Sequence, residues 1–396
     1  MKLRTLKDLK NISGKTVFLT ADFNISLENG HIGNDTRIVE TLPTINYLKK
    51  RGATIIIASH LGRPRGYDAA FSLKPVAHKL RELTKTDVKL IDNFWEKKAL
   101  DVISREKQKN IILLENIRFF EGEEKNDRNF SKHLASMADF FVNDAFGTSH
   151  RVHSSIVGIT EFLPSYAGLL MEMEIHMLSK AISSPKRPLL LIIGGAKTPE
   201  KISVIERLLN IADTVALGGA IANTFLAAWG FGTGRSLVDY EMVEMARVVF
   251  WKTTRKHCAL LLPTDVVISD MERKAKPKVV PYTHVPHNVA IYDIGPKTQS
   301  HYRELIKEAG TIIWNGPMGL YEDPRFRKGT DTLLESLASS SAFTIIGGGD
   351  TLTSISKAKY LEKIGHVSSG GSAMLAYLEK GTLPGIEVLL SNGENT

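Results

Sequence analysis

A pair of lysines beside a glycine turn is the first group of residues that could do chemistry. The five aliphatic residues Leu189–Ile193 lead into Gly194 and Gly195, and Lys197 and Lys201 follow at a spacing of four. A Thr-Pro step between the lysines marks a helix start, where backbone amides and the helix dipole favour an anion. The spacing predicts a phosphate-binding turn, and a plain strand-to-helix turn with two solvated lysines is the alternative. The pattern matches neither Walker A nor GxGxxG.

Two further glycine turns follow short aliphatic runs in the second half of the chain. Segment 214–220 has the sequence TVALGGA, and segment 344–351 has the sequence TIIGGGDT. Three such turns at strand ends predict one open sheet whose carboxyl edge presents backbone amides to a ligand. Asp350 stands directly after the last three glycines, so we predict that it binds Mg²⁺ beside nucleotide phosphates, with a structural helix cap as the alternative.

Basic residues follow the predicted strands of the first half, which lie at 16–21, 54–59, 111–114 and 140–143. A further basic residue, Arg37, lies in the first turn of a predicted helix that begins at Thr36. The predicted cations are therefore Arg37, His60, Arg63, Arg118 and Arg151. Arginine binds carboxylate and phosphate in a bidentate manner, so this repetition predicts a site for a small molecule that carries both groups. For each residue taken alone, a surface arginine or a satisfied histidine is the alternative.

The elements that must position these residues alternate between short aliphatic strands and helical runs. Residues 260–262 are predicted to be a strand with Asp265 at its end, and residues 370–379 are predicted to be the final helix. Residues 164–184 have helical apolar spacing and are predicted to join two domains. The partly aliphatic tail from Gly381 is expected to pack on another part of the chain.

Composition limits the class of protein. The chain has 396 residues, a net charge of +8 and one cysteine, Cys258, which excludes an internal disulfide. The length predicts two to three domains, and the single cysteine fits a reducing cytoplasm. We expect no secretory signal and no membrane span, because the first residues have no apolar core and no apolar run approaches the ~20 residues that a span needs. The basic balance favours anionic partners. Aromatic residues are not interleaved with the basic ones, so we expect no nucleic acid.

The motifs resemble those of phosphoglycerate kinases over essentially the whole chain and in order. They are DFN at 22–24, DTRI at 35–38, ASHLGRP at 58–64, LLEN-R-F with GEEKND at 113–127, FVNDAFGTSHR at 141–151, GGAK at 194–197, DIGPKT at 293–298, WNGPMG at 314–319, KGT at 328–330 and IIGGGDT at 345–351. The resemblance implies an α/β fold of two Rossmann-like, three-layer α/β/α domains with parallel sheets and a cleft between them. The implied parts are a glycerate-binding domain at 1–168, a joining helix and hinge at 165–184, a nucleotide-binding domain at 185–380, and a tail at 381–396 that returns to the first domain.

The implied activity is the phosphoglycerate kinase reaction of glycolysis. A phosphoryl group passes reversibly and in line between 1,3-bisphosphoglycerate and ADP, which gives 3-phosphoglycerate and ATP with Mg²⁺ as cofactor. The resemblance implies a glycerate site of Asp22, Phe23, Asn24, Arg37, His60, Arg63, Arg118 and Arg151. It implies a nucleotide site of Gly195, Ala196, Lys201, Gly218, Gly219, Asn315, Glu322, Gly348, Gly349, Asp350 and Thr351, with Asp350 on the metal. The implied catalytic residues are Arg37, Lys197 and Lys201.

The resemblance further implies a cytoplasmic monomer that closes about its hinge and has no nucleic-acid or membrane partner. A catalytically degenerate relative that acts as a basic binding or scaffold protein is the alternative. The chain departs from the usual family pattern near the implied nucleotide site. Ala220 and Ser372 stand where glycine is usual, and Asn223 stands where an aromatic residue is usual. Elsewhere, Pro199 stands where a small residue is usual and Ser26 where proline is usual. The preference for ATP or GTP is therefore left open.

Overall fold

The structure is a computed structural model that describes residues 2–28, 30–96, 101–103, 105, 111–196, 198–253, 257–355 and 358–391. Its strands are β1 (Lys2–Leu3), β2 (Thr16–Thr20), β3 (Leu27–Glu28), β4 (His31–Ile32), β5 (Thr54–Ala58), β6 (Val88–Ile91), β7 (Ile111–Leu114), β8 (Phe140–Asn143), β9 (Ser165–Ala167), β10 (Leu189–Ile193), β11 (Thr214–Leu217), β12 (Ala259–Leu261), β13 (Asp265–Ser269), β14 (Lys278–Pro281), β15 (Ala290–Ile294), β16 (Thr311–Asn315), β17 (Phe343–Gly347), β18 (His366–Ser368) and β19 (Leu390–Ser391). Its α-helices include Thr36–Lys50, Lys74–Thr84, Glu121–Glu124, Arg128–Ala135, Leu169–Ser183, Thr198–Leu208, Gly219–Ala228, Val243–Thr253, Pro296–Glu308, Lys328–Ala338, Gly349–Ser354, Gly371–Lys380 and Pro384–Glu387.

The chain divides into two compact units. Unit 1 comprises residues 1–175 and 382–396, and unit 2 comprises residues 176–381. Each unit contains a six-stranded parallel sheet with helices packed against it, which confirms the predicted α/β fold class. In the part of the chain that the structure describes, no helix has both the length and the apolar character of a membrane span.

The sheet of unit 1 has the strand order β6-β7-β5-β2-β8-β9, with every neighbouring pair parallel. Strands β2, β5 and β7 are buried along their whole length, as parallel strands covered on both faces should be. Leu19 and Ile57 share a hydrophobic core with Ile38 and Ile45 of the first helix. The carboxyl ends of the strands lie along one edge of the sheet, from which the loops with the predicted cations emerge.

The sheet of unit 2 has the strand order β12-β11-β10-β16-β17-β18 and is also parallel throughout. Trp314 and Tyr302 are fully buried in its core, where the Tyr302 hydroxyl donates a hydrogen bond to the Leu217 carbonyl at 2.8 Å. Strands β14-β13-β15 form a separate antiparallel sheet. The three predicted glycine turns follow β10, β11 and β17, and each precedes an α-helix.

The predicted helix at 164–184 begins later than expected. Residues Ser165–Ala167 form the edge strand β9, paired with β8, and the helix runs from Leu169 to Ser183. The Asp144 carboxylate accepts hydrogen bonds from the amides of Leu170 and Met171 at 2.9 and 3.2 Å and so caps the helix. A strand of three residues has too little periodicity to be recognised in a sequence, and the cap comes from a distant part of the chain.

Asp265 and the chain's last helical segment also differ from expectation. Asp265 begins β13 instead of ending a strand, and its carboxylate accepts bonds from the amides of Lys297 and Thr298 at 3.1 and 2.8 Å. It is therefore a cap for the helix Pro296–Glu308. A short helix, Pro384–Glu387, follows the predicted final helix. Beyond it, β19 pairs antiparallel with β1.

Candidate active site

Six polar side chains gather at the carboxyl edge of the unit 1 sheet. They follow β2, β5, β7 and β8 or lie in the first turn of the helix Thr36–Lys50, and electrostatic interactions connect them. We call them the unit 1 cluster: Asp22, Arg37, His60, Arg118, His150 and Arg151. The structure thus brings together four of the five cations predicted from the sequence, Arg63 being the exception.

Asp22 and Arg37 form an ion pair at the centre of the unit 1 cluster. Arg37 Nη1 donates to Asp22 Oδ2, and Asp22 Oδ1 accepts a bond from the Asn24 amide at 3.1 Å. Burial, the largest single effect, acts to raise the pKa of Asp22. Electrostatic interactions with Arg37 and His60 and the hydrogen bonds from the Asn24 amide and Arg37 together outweigh burial and keep the pKa below its ordinary value. A side chain at Gly147 would overlap the Asp22 carboxylate, so only glycine fits beside this pair.

His60 is a neutral imidazole among cations. Burial lowers the pKa of His60 to about 3, and the charges of Arg118, Arg37 and Arg151 act in the same direction against the opposing charge of Asp22. Because a neutral ring carries one donor and one acceptor nitrogen, His60 can hydrogen-bond an oxyanion but does not add a charge to the cluster.

Arg118 is the most buried arginine of the unit 1 cluster. It is 7% exposed, its Nη1 donates to the Gly62 carbonyl at 2.7 Å, and its Nε lies 3.4 Å from Glu124 Oε1. Burial and the neighbouring charge of Arg151 lower the pKa of Arg118. Gathering two guanidinium groups so closely costs free energy in the ligand-free protein, and an anionic ligand would remove that cost.

The other predicted glycerate residues differ in position. Phe23 is fully buried in the core, and its amide and carbonyl bond to Ser59 Oγ and the Ile25 amide at 2.9 and 2.8 Å. Asn24 is exposed, and its Oδ1 accepts a bond from the Gly62 amide at 2.9 Å. The Arg63 side chain is exposed beside this loop. Phe23 therefore anchors the loop, while Asn24 and Arg63 remain accessible.

His150 and His153 lie at the same place but were not assigned a role from the sequence. Burial and the charges of Arg151 and His153 lower the pKa of His150 to about 4. His150 Nδ1 is buried without a hydrogen-bond partner among the described residues. The motif SHRVH places both histidines next to Arg151, and that proximity to a predicted ligand-binding arginine was the available signal.

The glycine turns of unit 2 pack backbone against backbone. Gly195 and Gly219 both have positive φ, at 74° and 58°, a conformation that favours glycine. A Cβ at Gly219 would lie 2.5 Å from the Gly195 amide nitrogen and 2.9 Å from the Pro317 carbonyl. A Cβ at Gly218 would lie 2.5 Å from Met318 Sδ, so this glycine is closely packed as well. The absence of side chains thus lets the ends of β10, β11 and β16 meet.

These turns line a cleft of about 650 Å³ within unit 2. Gly195, Ala196, Gly219, Glu322 and Asp350 contribute to one part of its wall. Its remaining wall is largely apolar and includes Leu237, Tyr240, Pro263, Val266, Ile291 and Tyr292. Burial, followed by the charges of Glu322 and Asp350, raises the pKa of Tyr321, so both carboxylates lie near its hydroxyl. The cleft has the size and mixed lining of a site for a small organic anion.

A smaller depression adjoins the cleft. It is lined by Glu200, Lys201, Asn315, Gly316, Gly348, Gly349, Asp350, Thr351, Gly371, Ser372 and Leu375. Lys201 is 3% exposed, and its ammonium group donates to the Gly194 carbonyl. Asn315 Nδ2 donates to the Gly347 carbonyl at 2.8 Å, and Thr351 Oγ1 donates to the same carbonyl at 2.9 Å. Asn315 and Thr351 therefore shape the turn with their side chains. The other predicted lysine, Lys197, lies outside the described residues.

Asp350 is the candidate metal ligand. It is exposed in the first turn of the helix Gly349–Ser354, two residues after Gly348 with its φ of 110°. Among the described residues, no group of three or more histidine, cysteine or acidic side chains is arranged to hold a metal ion. One carboxylate still fits Mg²⁺, because this ion is usually held by one or two carboxylates together with substrate phosphates and water.

Two of the departures from the family pattern line the cleft. Ala220 and Asn223 both contribute to its wall, and Asn223 Nδ2 donates to the Leu237 carbonyl at 3.2 Å. Ser372 lies in the smaller depression with Lys201 and Asp350. These residues line the cleft and the smaller depression, so they are positioned to contact a ligand bound there.

Comparison with known proteins is consistent over the whole chain. Residues 6–381 match the family described as phosphoglycerate kinase. The phosphoglycerate kinase of Borrelia garinii is 43% identical over 391 residues, which is 98% of this chain and 100% of the relative, and that of Finegoldia magna is 44% identical over 395 residues, or 98% and 99%. The structure of the Coxiella burnetii phosphoglycerate kinase has a TM-score of 0.87 at 38% identity and covers 98% of this chain and 99% of its own. The Pyrococcus horikoshii structure has a TM-score of 0.85 at 32% identity, with 98% of both chains covered.

Proposed function

Since the chain belongs to the phosphoglycerate kinase family, we propose that its two units divide the two substrates of that reaction between them. The chain is a phosphotransferase that passes a phosphoryl group reversibly between 1,3-bisphosphoglycerate and ADP, giving 3-phosphoglycerate and ATP. In this proposal unit 1, extending the expected domain 1–168, holds the glycerate, and unit 2, extending the expected domain 185–380, holds the nucleotide. One observation carries the assignment: the unit 1 cluster gathers guanidinium groups, whereas the cleft of unit 2 is walled by glycine turns.

The unit 1 cluster suits a small molecule with a carboxylate and a phosphate. Arg151 lies close enough to Arg118 to lower the pKa of Arg118, and both arginines act to lower the pKa of His60, which is neutral. Guanidinium groups bind both kinds of oxyanion in a bidentate manner, and the neutral imidazole can donate one further hydrogen bond. Asn24 and Arg63 would complete the site from its exposed side.

The cleft of unit 2 suits ADP or ATP. In our proposal the base and ribose occupy the apolar part of the cleft, and the phosphates face the amides of the Gly348–Thr351 turn with Glu322 and Asp350 nearby. Asp350 would hold Mg²⁺, which supplies positive charge to the phosphate oxygens when it is bound. Lys201 is positioned within the neighbouring turn to meet a phosphate oxygen.

The transfer needs alignment and charge rather than an acid or a base. A terminal oxygen of ADP forms a new bond to the acyl phosphorus, and the bond from phosphorus to the carboxylate oxygen of the glycerate breaks. ADP is already ionised at neutral pH, so no general base is required. Both substrates are anions and repel each other, so preorganised cations must act on each side. We assign this work to Arg37 on the glycerate side and to Lys201 and Lys197 on the nucleotide side.

A coupled assay tests the proposal directly. We expect ATP to form from 1,3-bisphosphoglycerate and ADP, and we expect Lys197→Ala to lower kcat by about 10² or more because a preorganised charge is lost. Parallel assays with ADP and GDP would establish the base preference. An absence of phosphoryl transfer in a folded preparation would refute the activity, and full activity of Lys197→Ala would refute the role of that lysine.

We also propose that the chain acts as a monomer in the cytoplasm. Each proposed substrate site is built from residues of one chain and one unit, so neither needs a second copy for completion. The substrates, ADP and a glycolytic acyl phosphate, support the compartment. Light scattering coupled to gel filtration should give a mass close to the 43.8 kDa of one chain.

A further inference from the structure

A buried carboxylate beneath the unit 1 cluster has no part in the proposed chemistry. Glu123 is 1% exposed, and both of its oxygens accept hydrogen bonds from one residue: Ser155 N donates to Oε2 at 3.0 Å and Ser155 Oγ donates to Oε1 at 2.7 Å. His153 Nδ1 lies 3.6 Å from Oε1. Burying a carboxylate is costly unless its partners are fixed, so these contacts hold Ser155 in one place relative to Glu123.

The same serine is also bound to the strand that precedes Asp22. Thr20 Oγ1, at the end of β2, donates to the Ser155 carbonyl at 2.8 Å. We call Thr20, Ser155 and Glu123 the Glu123 brace, and all three are at most 2% exposed. A second link runs alongside, because the Ser154 amide and hydroxyl donate to the carbonyls of Glu123 and Gly122 at 3.0 and 2.8 Å.

The Glu123 brace connects three segments that carry residues of the unit 1 cluster. Thr20 is two residues before Asp22, Glu123 is five residues after Arg118, and Ser155 is four residues after Arg151. A cavity of about 10 Å³ is lined by the whole brace together with His60, Arg118 and His153. The brace therefore lies directly against the basic residues instead of elsewhere in the core.

We propose that Glu123 is a positioning residue for the glycerate substrate, a role that rests on the proposed function of the unit 1 cluster. Through Ser155 and Thr20 it fixes the segment carrying His150 and Arg151 relative to Asp22 and Arg118. A site that binds one small anion through several donors needs those donors placed within a fraction of an ångström, and a buried hydrogen-bonded network supplies that rigidity.

The direction of the expected effect separates positioning from simple electrostatics. The negative charge of Glu123 lies near a site for an anion, so loss of that charge alone should strengthen substrate binding and lower KM. Loss of the brace should misplace Arg151 and raise KM. A rise in KM for the glycerate therefore reports on geometry, because the charge effect has the opposite sign.

The decisive variant is Glu123→Gln, which keeps the size of the side chain but replaces one acceptor oxygen with a donor amide. We expect KM for 3-phosphoglycerate to rise about tenfold, while KM for Mg-ATP changes less than about twofold because the nucleotide site is in the other unit. Glu121→Gln is the matched control, since Glu121 lies in the same short helix but pairs with Lys125 at the surface. It should leave both KM values unchanged.

Ser155→Ala provides a second test that retains the carboxylate. It removes only the hydroxyl bond to Glu123, so we expect a smaller rise in KM for 3-phosphoglycerate, of about three- to fivefold. If Glu123→Gln fails to fold by circular dichroism, this variant decides alone. An unchanged or lower KM for 3-phosphoglycerate, or equal rises for both substrates, would overturn the positioning role in an enzyme that still transfers phosphate. If the unmodified chain transfers none, the proposed function fails instead.

Discussion

At the scale of single residues, His60 is uncharged although it lies among the arginines of the unit 1 cluster. His60 follows a strand end together with arginines, and on that pattern it was grouped with the cations. In the structure, burial and the charges of three arginines lower the pKa of His60 to about 3, so the ring is neutral. Burial depends on elements distant in the sequence, so no local pattern could have predicted it.

The neutrality of His60 can be measured without an assay. The folded pKa lies below the ordinary value of 6.5, so as pH falls below 6.5 an unfolded chain takes up a proton that the folded chain does not. His60 therefore lowers the free energy of unfolding progressively on acidification. In proton NMR spectra its ring signals should not titrate between about pH 5 and 8. A midpoint near that of a free histidine would show that the ring is charged and the site differently built.

Arg37 is the residue whose loss should affect turnover most in unit 1. It pairs with Asp22 at the centre of the unit 1 cluster, and Arg37→Ala should lower kcat by about 10² or more, because a preorganised charge at the moving phosphoryl group disappears. Lys50→Ala is the matched control, since it removes a positive charge from the exposed far end of the same helix. Steady-state kinetics measures kcat for both variants. Equal decreases in kcat for Arg37→Ala and Lys50→Ala would contradict a specific role for Arg37.

At the scale of elements, strand ends and glycine turns were predictable, and short or distant elements were not. Strands β10, β11 and β17 are aliphatic runs that stop at glycines, so both their bounds and the edge they form follow from the sequence. Strand β9 is only three residues long and exists because β8 offers it an edge. Asp265 was placed at a strand end, whereas its carboxylate caps a helix that begins some thirty residues later.

The glycines of the last turn should separate fold from ligand binding. Gly348 has a φ of 110°, and a Cβ there would lie 2.8 Å from Asn315 Nδ2 and 3.0 Å from Thr351 Oγ1. Gly348→Ala should therefore lower the free energy of unfolding by about 1–3 kcal/mol. Gly349 has open space around its Cβ position, so Gly349→Ala should keep its stability but raise KM for Mg-ATP. Urea unfolding and kinetics check both, and unchanged nucleotide KM in Gly349→Ala would contradict phosphate binding at this turn.

The cap of the helix Leu169–Ser183 should make stability depend on pH. Burial raises the pKa of Asp144 from 3.8 to about 6, despite hydrogen bonds from Thr44, Met171 and Leu170. Between these values the folded chain holds a proton that the unfolded chain has lost, so stability declines as pH rises through this window. From about pH 4 to pH 7, the free energy of unfolding should fall by on the order of 1–3 kcal/mol relative to that of Asp144→Asn. Urea denaturation at several pH values measures both proteins. If the free energy of unfolding changed equally with pH in the unmodified chain and in Asp144→Asn, the raised pKa of Asp144 would be contradicted.

At the scale of the whole molecule, we propose that the two units bind anions in different ways. In this proposal unit 1 binds with guanidinium groups on loops held by the Glu123 brace, and unit 2 binds with backbone amides exposed by glycine turns. The first suits a compact acid with two kinds of oxyanion, and the second suits a chain of phosphates. The expected closure about residues 165–184 stays a prediction, and small-angle scattering should show a smaller radius of gyration only when both substrates are present.

The division of substrates between the units is tested most directly by a crystal structure with 3-phosphoglycerate and Mg-ADP bound. We predict that oxygens of the glycerate lie within hydrogen-bonding distance of Arg118 and Arg151, and that the diphosphate lies against the amides of the Gly348–Thr351 turn with Asp350 on the metal. Density for the glycerate in unit 2, or for the nucleotide in unit 1, would contradict the account.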